Sequence, residues 1–265
     1  MKSFVKTKLA VCLMGLAALS FNAAAATQNK TNAPAVSPAE KAKIEEVVHQ
    51  YLVSHPEVLV EAMQVLQQKQ YEQAQQTVKQ TQQTASSFAK SLFHQANDPV
   101  AGNPDGKVTV VEFFDYQCPH CVDMAPVMSS IIKANPDLRV VFKDFPIRGP
   151  VSEFAARAAL AANKQGKYDA FSHALLTSGQ PLTQDSVLQT AKTIGLNVDK
   201  LKKDMEDQSI KDQLKANIKL AQDLKLFGTP ALFIGKTNAK GSDTISYVPG
   251  STDQKQLQSM IDQVK

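Results

Sequence analysis

The chain has 265 residues, 43% of them apolar, no tryptophan and a formal net charge of +4. That is enough for a sizeable core and one or two domains. The charge falls to +1 once residues 1–26 are set aside, because Lys2, Lys6 and Lys8 lie there with no acid among them, so no basic surface for nucleic acid is implied.

Residues 1–26 read as a secretory signal peptide. Lys2, Lys6 and Lys8 form a positive start, Leu9 to Phe21 an apolar run, and Ala23 to Ala26 the small residues for cleavage after Ala25 or Ala26. The run is too short to cross a bilayer comfortably. Cys12 lies inside it and leaves with it. The exported chain then carries two cysteines, Cys118 and Cys121, in one Cys-x-x-Cys. A structural disulfide framework needs more cysteines at wider spacing, so a lone close pair in an oxidising compartment reads as a redox dithiol. With no later span and no lipidation signal, the expected location is the periplasm, in soluble form.

Residues 27–96 read as a helical N-terminal region and linker. A polar leader ends at Ser37-Pro38, an N-cap followed by proline at the first helical position. Ile44, Val47, Val48, Tyr51 and Leu52 then share one helix face. His55-Pro56 interrupts the pattern. A second helix places Leu59, Ala62, Met63 and Leu66 together and runs into a glutamine-rich tract, residues 67–83, expected as a solvated connecting helix. These helices have too few large apolar residues for a core of their own. Two alternatives follow: self-association through residues 40–80, as a homodimer or trimer, or packing back onto the rest of the chain.

After polar stretches at residues 97–99 and 102–106, Lys107 to Asp115 reads as a buried strand. It leads directly into Cys118-Pro119-His120-Cys121, where a helix pattern starts: Met124, Val127, Met128, Ile131 and Ile132. Pro126 is expected to kink that helix. Leu138 to Phe142 is a second strand, giving a parallel strand–helix–strand unit. Residues from about 150 to 226 read as a helical block, Ala231 to Ile234 and Ile245 to Val248 as a strand pair, and Asp253 to Val264 as a closing helix. The predicted class is α/β. Lys143, Asp144 and Arg148 read as solvated surface.

A strand that delivers a cysteine to a helix N-terminus sets it against unpaired N–H groups and the helix dipole, both of which favour the thiolate. Cys118 is therefore the predicted nucleophile, near the surface, and Cys121, one turn in, the resolving thiol. His120 reads either as a stabiliser of the Cys118 thiolate or as a solvated surface histidine. Glu112, six residues before Cys118, reads either as a buried proton acceptor for Cys121 or as an outward-facing strand residue. Met124 and Met128 read as core.

These features resemble the DsbA-like exported disulfide oxidoreductases over roughly residues 97–265. The likeness rests on Glu112-Phe113-Phe114 before the Cys-Pro-His-Cys, on the helical insert at about 150–226, and on Gly228-Thr229-Pro230 before the last strands. It implies a thioredoxin fold with an inserted helical subdomain, preceded by an N-terminal α-helical oligomerisation segment. Residues 27–96 are similar to the extension of ScsC-like and dimeric DsbA-like members, and to that of DsbC- and DsbG-type isomerases. The resemblance implies that Pro119 and His120 belong to an oxidising dipeptide, that Glu112 is the family's buried acid, and that Pro230 is a cis-proline presenting Thr229 to substrate. It implies no cofactor. The partners implied are unfolded or misfolded exported proteins with cysteines, and a membrane redox protein. Thr229 before the proline resembles the isomerases, whereas Pro119-His120 resembles the oxidases, so forming and rearranging disulfides both stay open. Two other classes are a metal-transfer protein holding copper on the reduced thiols and an exported surface protein with an idle Cys-x-x-Cys. No metal site is assigned.

Overall fold

A computed structural model describes residues 36–265; the expected signal peptide and most of the polar leader lie outside the described residues. The described residues divide into two compact units between Ala62 and Met63.

Helix α1, Pro38–Ser54, starts as expected. Ser37 caps it, with Glu40 N–H donating to Ser37 Oγ at 3.3 Å and Ser37 N–H donating to Glu40 Oε2 at 2.9 Å. This reciprocal pair satisfies two otherwise orphaned groups. The helix stops at His55, whose ring stacks on Tyr51 at 4.6 Å. None of its residues is buried, and Val47 is 65% exposed. Helix α2, Glu57–Thr84, continues the apolar face with Leu59, Met63, Leu66 and Tyr71, all exposed.

The second unit is built on a five-stranded sheet. Its strands are β1 (Val100–Gly102), β2 (Val108–Phe114), β3 (Leu138–Asp144), β4 (Ala231–Lys236) and β5 (Ser246–Pro249), ordered β1-β3-β2-β4-β5. β2 pairs parallel with β3 and antiparallel with β4. The crossover between β2 and β3 is helix α4, Pro119–Ala134, which runs unbroken through Pro126. Every residue of β2 is buried, because the sheet is covered on both faces. One face packs Val110 and Phe114 against α4 and the insert; the other packs Val111 and Phe113 against Phe93 and Phe233.

Between β3 and β4 the chain is helical: α5 (Pro150–Asn163), α6 (Tyr168–Leu176), α7 (Gln184–Thr193), α8 (Val198–Met205) and α9 (Gln208–Asp223). Helix α5 is the hub and packs on all four others. Its buried alanines, Ala155, Ala156, Ala158, Ala159, Ala161 and Ala162, leave room for neighbours to approach from several sides. Helix α10, Gln254–Val264, closes the unit on α4 and β4.

Three features depart from the sequence reading. First, β1 lies in what reads as a polar link. It is only three residues long, and β3 supplies its pairing, so no local periodicity announces it. Second, the end of the glutamine-rich segment is anchored rather than solvated. Thr81 donates to the Leu224 carbonyl at 2.8 Å, and the Gln82 amide donates to Ile245 O at 2.6 Å and accepts from Tyr247 N–H at 2.7 Å. A short helix α3, Ala89–Phe93, follows and buries Leu92 and Phe93. Phe93 sits where a Cβ on Gly235 would come within 3.0 Å of its ring, so that strand position must be glycine or the ring must shift. Third, Lys143 and Asp144 are not surface residues: both are 0% exposed. Arg148 is exposed as expected.

The Lys143 ammonium is fully enclosed. It donates to Ser91 O at 2.9 Å, Gln95 Oε1 at 3.2 Å and Asp98 Oδ2 at 2.5 Å. Those partners lie about 45–52 positions earlier, so the lysine ties the α3–β1 segment to the sheet. Burial drives Asp98 up to about 6, against the pull of Lys143. A buried charge without its partner is costly, whereas replacing both charges together is far less so. Lys143→Met should therefore lower unfolding stability by about 3–5 kcal/mol. The double variant Lys143→Met, Asp98→Leu should recover most of that loss, as read by urea unfolding.

Candidate active site

β2 ends at Phe114, and the four residues that follow turn the chain into α4. Asp115 organises that turn. Its buried carboxylate accepts four hydrogen bonds: Gln117 N–H at 2.7 Å and Ser152 Oγ–H at 2.7 Å on one oxygen, Ile147 N–H at 2.8 Å and Arg148 N–H at 2.9 Å on the other. It joins the turn before the cysteines to the β3–α5 loop and the first turn of α5. Its own carbonyl accepts from Cys118 N–H at 3.0 Å. Tyr116 packs edge-on to Phe114 and donates to Ser172 of α6 at 3.2 Å.

Cys118 is the N-cap residue of α4, and neither it nor Cys121 is in a disulfide. Its sulfur donates to the Thr229 carbonyl at 3.1 Å. The residue is 1% exposed, so it does not lie nearer the surface than Cys121, at 0%, in any marked way. The cover comes from the Thr229 loop, 111 positions later. Burial pushes the Cys118 thiol up, but the neighbouring Thr229, the Cys121 backbone and side chain and the His120 backbone outweigh it, and the thiol is held below its ordinary value. The Thr229 hydroxyl is buried nearby and has no hydrogen-bond partner among the described residues.

Cys121 moves the other way. Burial pushes it well up, and the nearby Glu112 carboxylate adds to this. Glu112 is 4% exposed. Strand alternation sends no residue of β2 to water, because both faces are covered, so its choice of face does not expose it. Burial raises its carboxyl to about 8. The Thr229–Pro230 peptide bond is cis, and both residues are buried at the entrance to β4. Cys118, Cys121, Glu112, Thr229 and Pro230 thus gather at one end of the sheet, while Pro119 and His120 face solvent beside them. His120 reaches the Cys118 sulfur through its backbone. Among the described residues, no group of three His, Cys, Asp or Glu side chains is placed to hold a metal.

The sequence reading missed Asp115 and Ser152, whose roles depend on loops that meet only in the fold. It also missed Asp144, which accepts from Tyr168 at 2.9 Å and is raised by burial to about 7. A cavity of about 820 Å³ lies at the opposite end of the sheet, against Lys107, Asn135 and Ile261, away from the sulfurs. A smaller one, about 400 Å³, opens beside Pro119.

Comparison with known proteins adds the following. Residues 109–262 match the family described as DSBA-like thioredoxin domain, and residues 40–73 match one described as Copper resistance protein ScsC N-terminal domain. BcfH of Salmonella enterica Typhimurium is 37% identical, with a TM-score of 0.62 over 85% of this chain and 96% of that one. A thioredoxin-like oxidoreductase from Silicibacter pomeroyi DSS-3 is 41% identical, with a TM-score of 0.60 over 66% of this chain and 95% of that one. A Bacillus cereus protein named "Probable disulfide bond formation protein D" is 28% identical over 156 residues, 54% of this chain and 72% of its own length. The chain also matches sodium/proton antiporters such as NhaA 3 of Salinispora tropica, 27% identical over 139 residues; that match takes in 52% of this chain but only 21% of the antiporter.

An acid whose folded-state pKa is raised makes stability fall as pH rises between the unfolded and folded values. For Glu112 that window runs from about 4.5 to 8, with a slope of up to about 1.4 kcal/mol per unit. Reduced Glu112→Gln should match the wild type near pH 5 and exceed it by a few kcal/mol near pH 8, as read by urea unfolding at each pH.

Proposed function

The chain belongs to the DSBA-like thioredoxin family of thiol–disulfide oxidoreductases, and from that premise we propose that it forms and rearranges disulfides in exported proteins through Cys118 and Cys121. The observation that carries the reading is the split between the two sulfurs: Cys118 held below its ordinary pKa at a helix N-terminus, Cys121 pushed up beside a buried acid.

In the oxidising direction the protein starts as the Cys118–Cys121 disulfide. A substrate thiolate attacks the Cys118 sulfur, a new S–S bond forms, and Cys121 leaves as a thiolate. Glu112, protonated near neutral pH because of its burial, supplies the proton that Cys121 takes up. A second substrate thiolate then attacks the substrate's own sulfur in the mixed disulfide. Cys118 leaves as the stabilised thiolate. Two electrons pass from the substrate dithiol to the protein. In the rearranging direction the reduced Cys118 thiolate attacks a wrong disulfide, and a substrate thiolate later displaces it, with no net redox change. Thr229 and Pro230 present backbone to an extended substrate; Pro119 and His120 form the exposed lip.

We place the activity in the periplasm, after removal of residues 1–26, with a membrane redox protein resetting the dithiol. Residues 97–265 act as the catalytic domain, with the helical insert at about 150–226, and residues 27–96 as an oligomerisation region and linker. The exposed stripe of Val47, Tyr51, Leu59, Met63 and Leu66 supports self-association through residues 40–80. A second reading, copper(I) held by the reduced sulfurs, draws on the ScsC family description. It requires stoichiometric copper(I) binding that Cys118→Ser abolishes.

The mature protein should refold a scrambled multi-disulfide substrate, and Cys118→Ser should reduce this to background; retained activity in that variant would overturn the reading. Val47→Lys with Leu59→Lys should bring the mass in sedimentation down to one chain. That variant should lose rearranging activity while still oxidising a reduced substrate.

A further inference from the structure

The cavity of about 400 Å³ beside Pro119 is built by two parts of the fold. The redox end contributes Tyr116, Pro119 and Val122. The insert contributes Leu175 at the end of α6 and Leu182 from the α6–α7 loop. Tyr116 and Leu175 are each 4% exposed and form an apolar floor, whereas Val122, 39% exposed, stands at the rim. The volume lies within the range of about 300–1,000 Å³ found for ligand pockets. The floor is fixed: Tyr116 is held by Ser172 at 3.2 Å, so the pocket is present before anything enters it.

Among the described residues one charge lines the cavity, the carboxylate of Asp123. Asp123 is exposed and makes no ion pair among the described residues. Two lining residues, Gln117 and Pro119, flank Cys118 in the chain. The cavity therefore borders the residue to which a substrate polypeptide would be joined.

We infer that this cavity is a side-chain subsite of the exchange reaction, taking an apolar residue next to the substrate's reacting cysteine. The inference rests on the thiol–disulfide exchange reading and adds a selectivity to it. The floor rewards burial of a leucine-sized group. Asp123 tolerates a cationic side chain at the rim and repels an anionic one. The subsite is separate from the backbone contact at Thr229, which belongs to the loop before β4.

The test uses the reduced mature protein and short peptides, each with one cysteine carried as a mixed disulfide with glutathione. The neighbour on either side of that cysteine is Leu, Lys or Glu. Each rate is divided by the rate of the same protein with glutathione disulfide, which is too small to fill the cavity. The wild type should favour the Leu peptide over the Glu peptide by about tenfold. Val122→Trp, which fills the mouth from an exposed position, should remove most of that advantage. Asp123→Lys should turn the preference for Lys over Glu into the reverse. If all three proteins rank the peptides alike while reacting with glutathione disulfide, the subsite is overturned and the exchange reading stands. If the wild type reacts with neither the peptides nor glutathione disulfide, the exchange reading falls and the subsite with it.

Discussion

Everything around Cys118 turns on one conflict: a thiol held below its ordinary pKa sits where almost none of it is exposed. Cys118 is almost fully enclosed, and enclosure alone would make its thiol a weak acid. The fold answers by placing the sulfur at the start of α4, beside the His120 and Cys121 backbone and next to a buried threonine hydroxyl without a hydrogen-bond partner. These donors stand in for water. Three residues on, Cys121 has the same burial and an acid for a neighbour, and it stays protonated. The asymmetry between chemically identical thiols is thus a matter of position along one helix turn.

Holding that turn still requires more than the helix. Asp115 gathers four donors from three segments, and Tyr116 and Asp144 reach α6 through Ser172 and Tyr168. The insert is therefore stitched to the redox turn and to the adjacent end of β3. A buried polar network of this kind gives geometric definition beyond what apolar packing supplies. The Asp144 oxygen without a partner marks the one loose stitch in it.

Much of this could be read in the sequence. The apolar run of β2, the helix pattern after Cys118 and the alanine-rich start of the insert all carry strong local periodicity, and each forms where its pattern places it. The N-cap at Ser37 is legible from the Ser-Pro start, and the structure adds Glu40 to it as the other half of a capping box. What escaped is what the chain makes by meeting itself. β1 exists because β3 offers it an edge. Lys143 reads as surface until Asp98, Ser91 and Gln95 close over it. Cys118 reads as near the surface until Thr229 covers it. The cis bond at Pro230 came from family likeness alone, since nothing in the local residues marks it.

The Gln82 side chain has a consequence beyond anchoring its helix. A sheet margin with free N–H and C=O groups is a template on which any loose strand can build. At β5 that margin is partly occupied: one amide group answers both the Ile245 carbonyl and the Tyr247 N–H, as a neighbouring strand would. This is a plug in the seam: a loose strand that reached this border would have to displace a side chain already holding two of its groups.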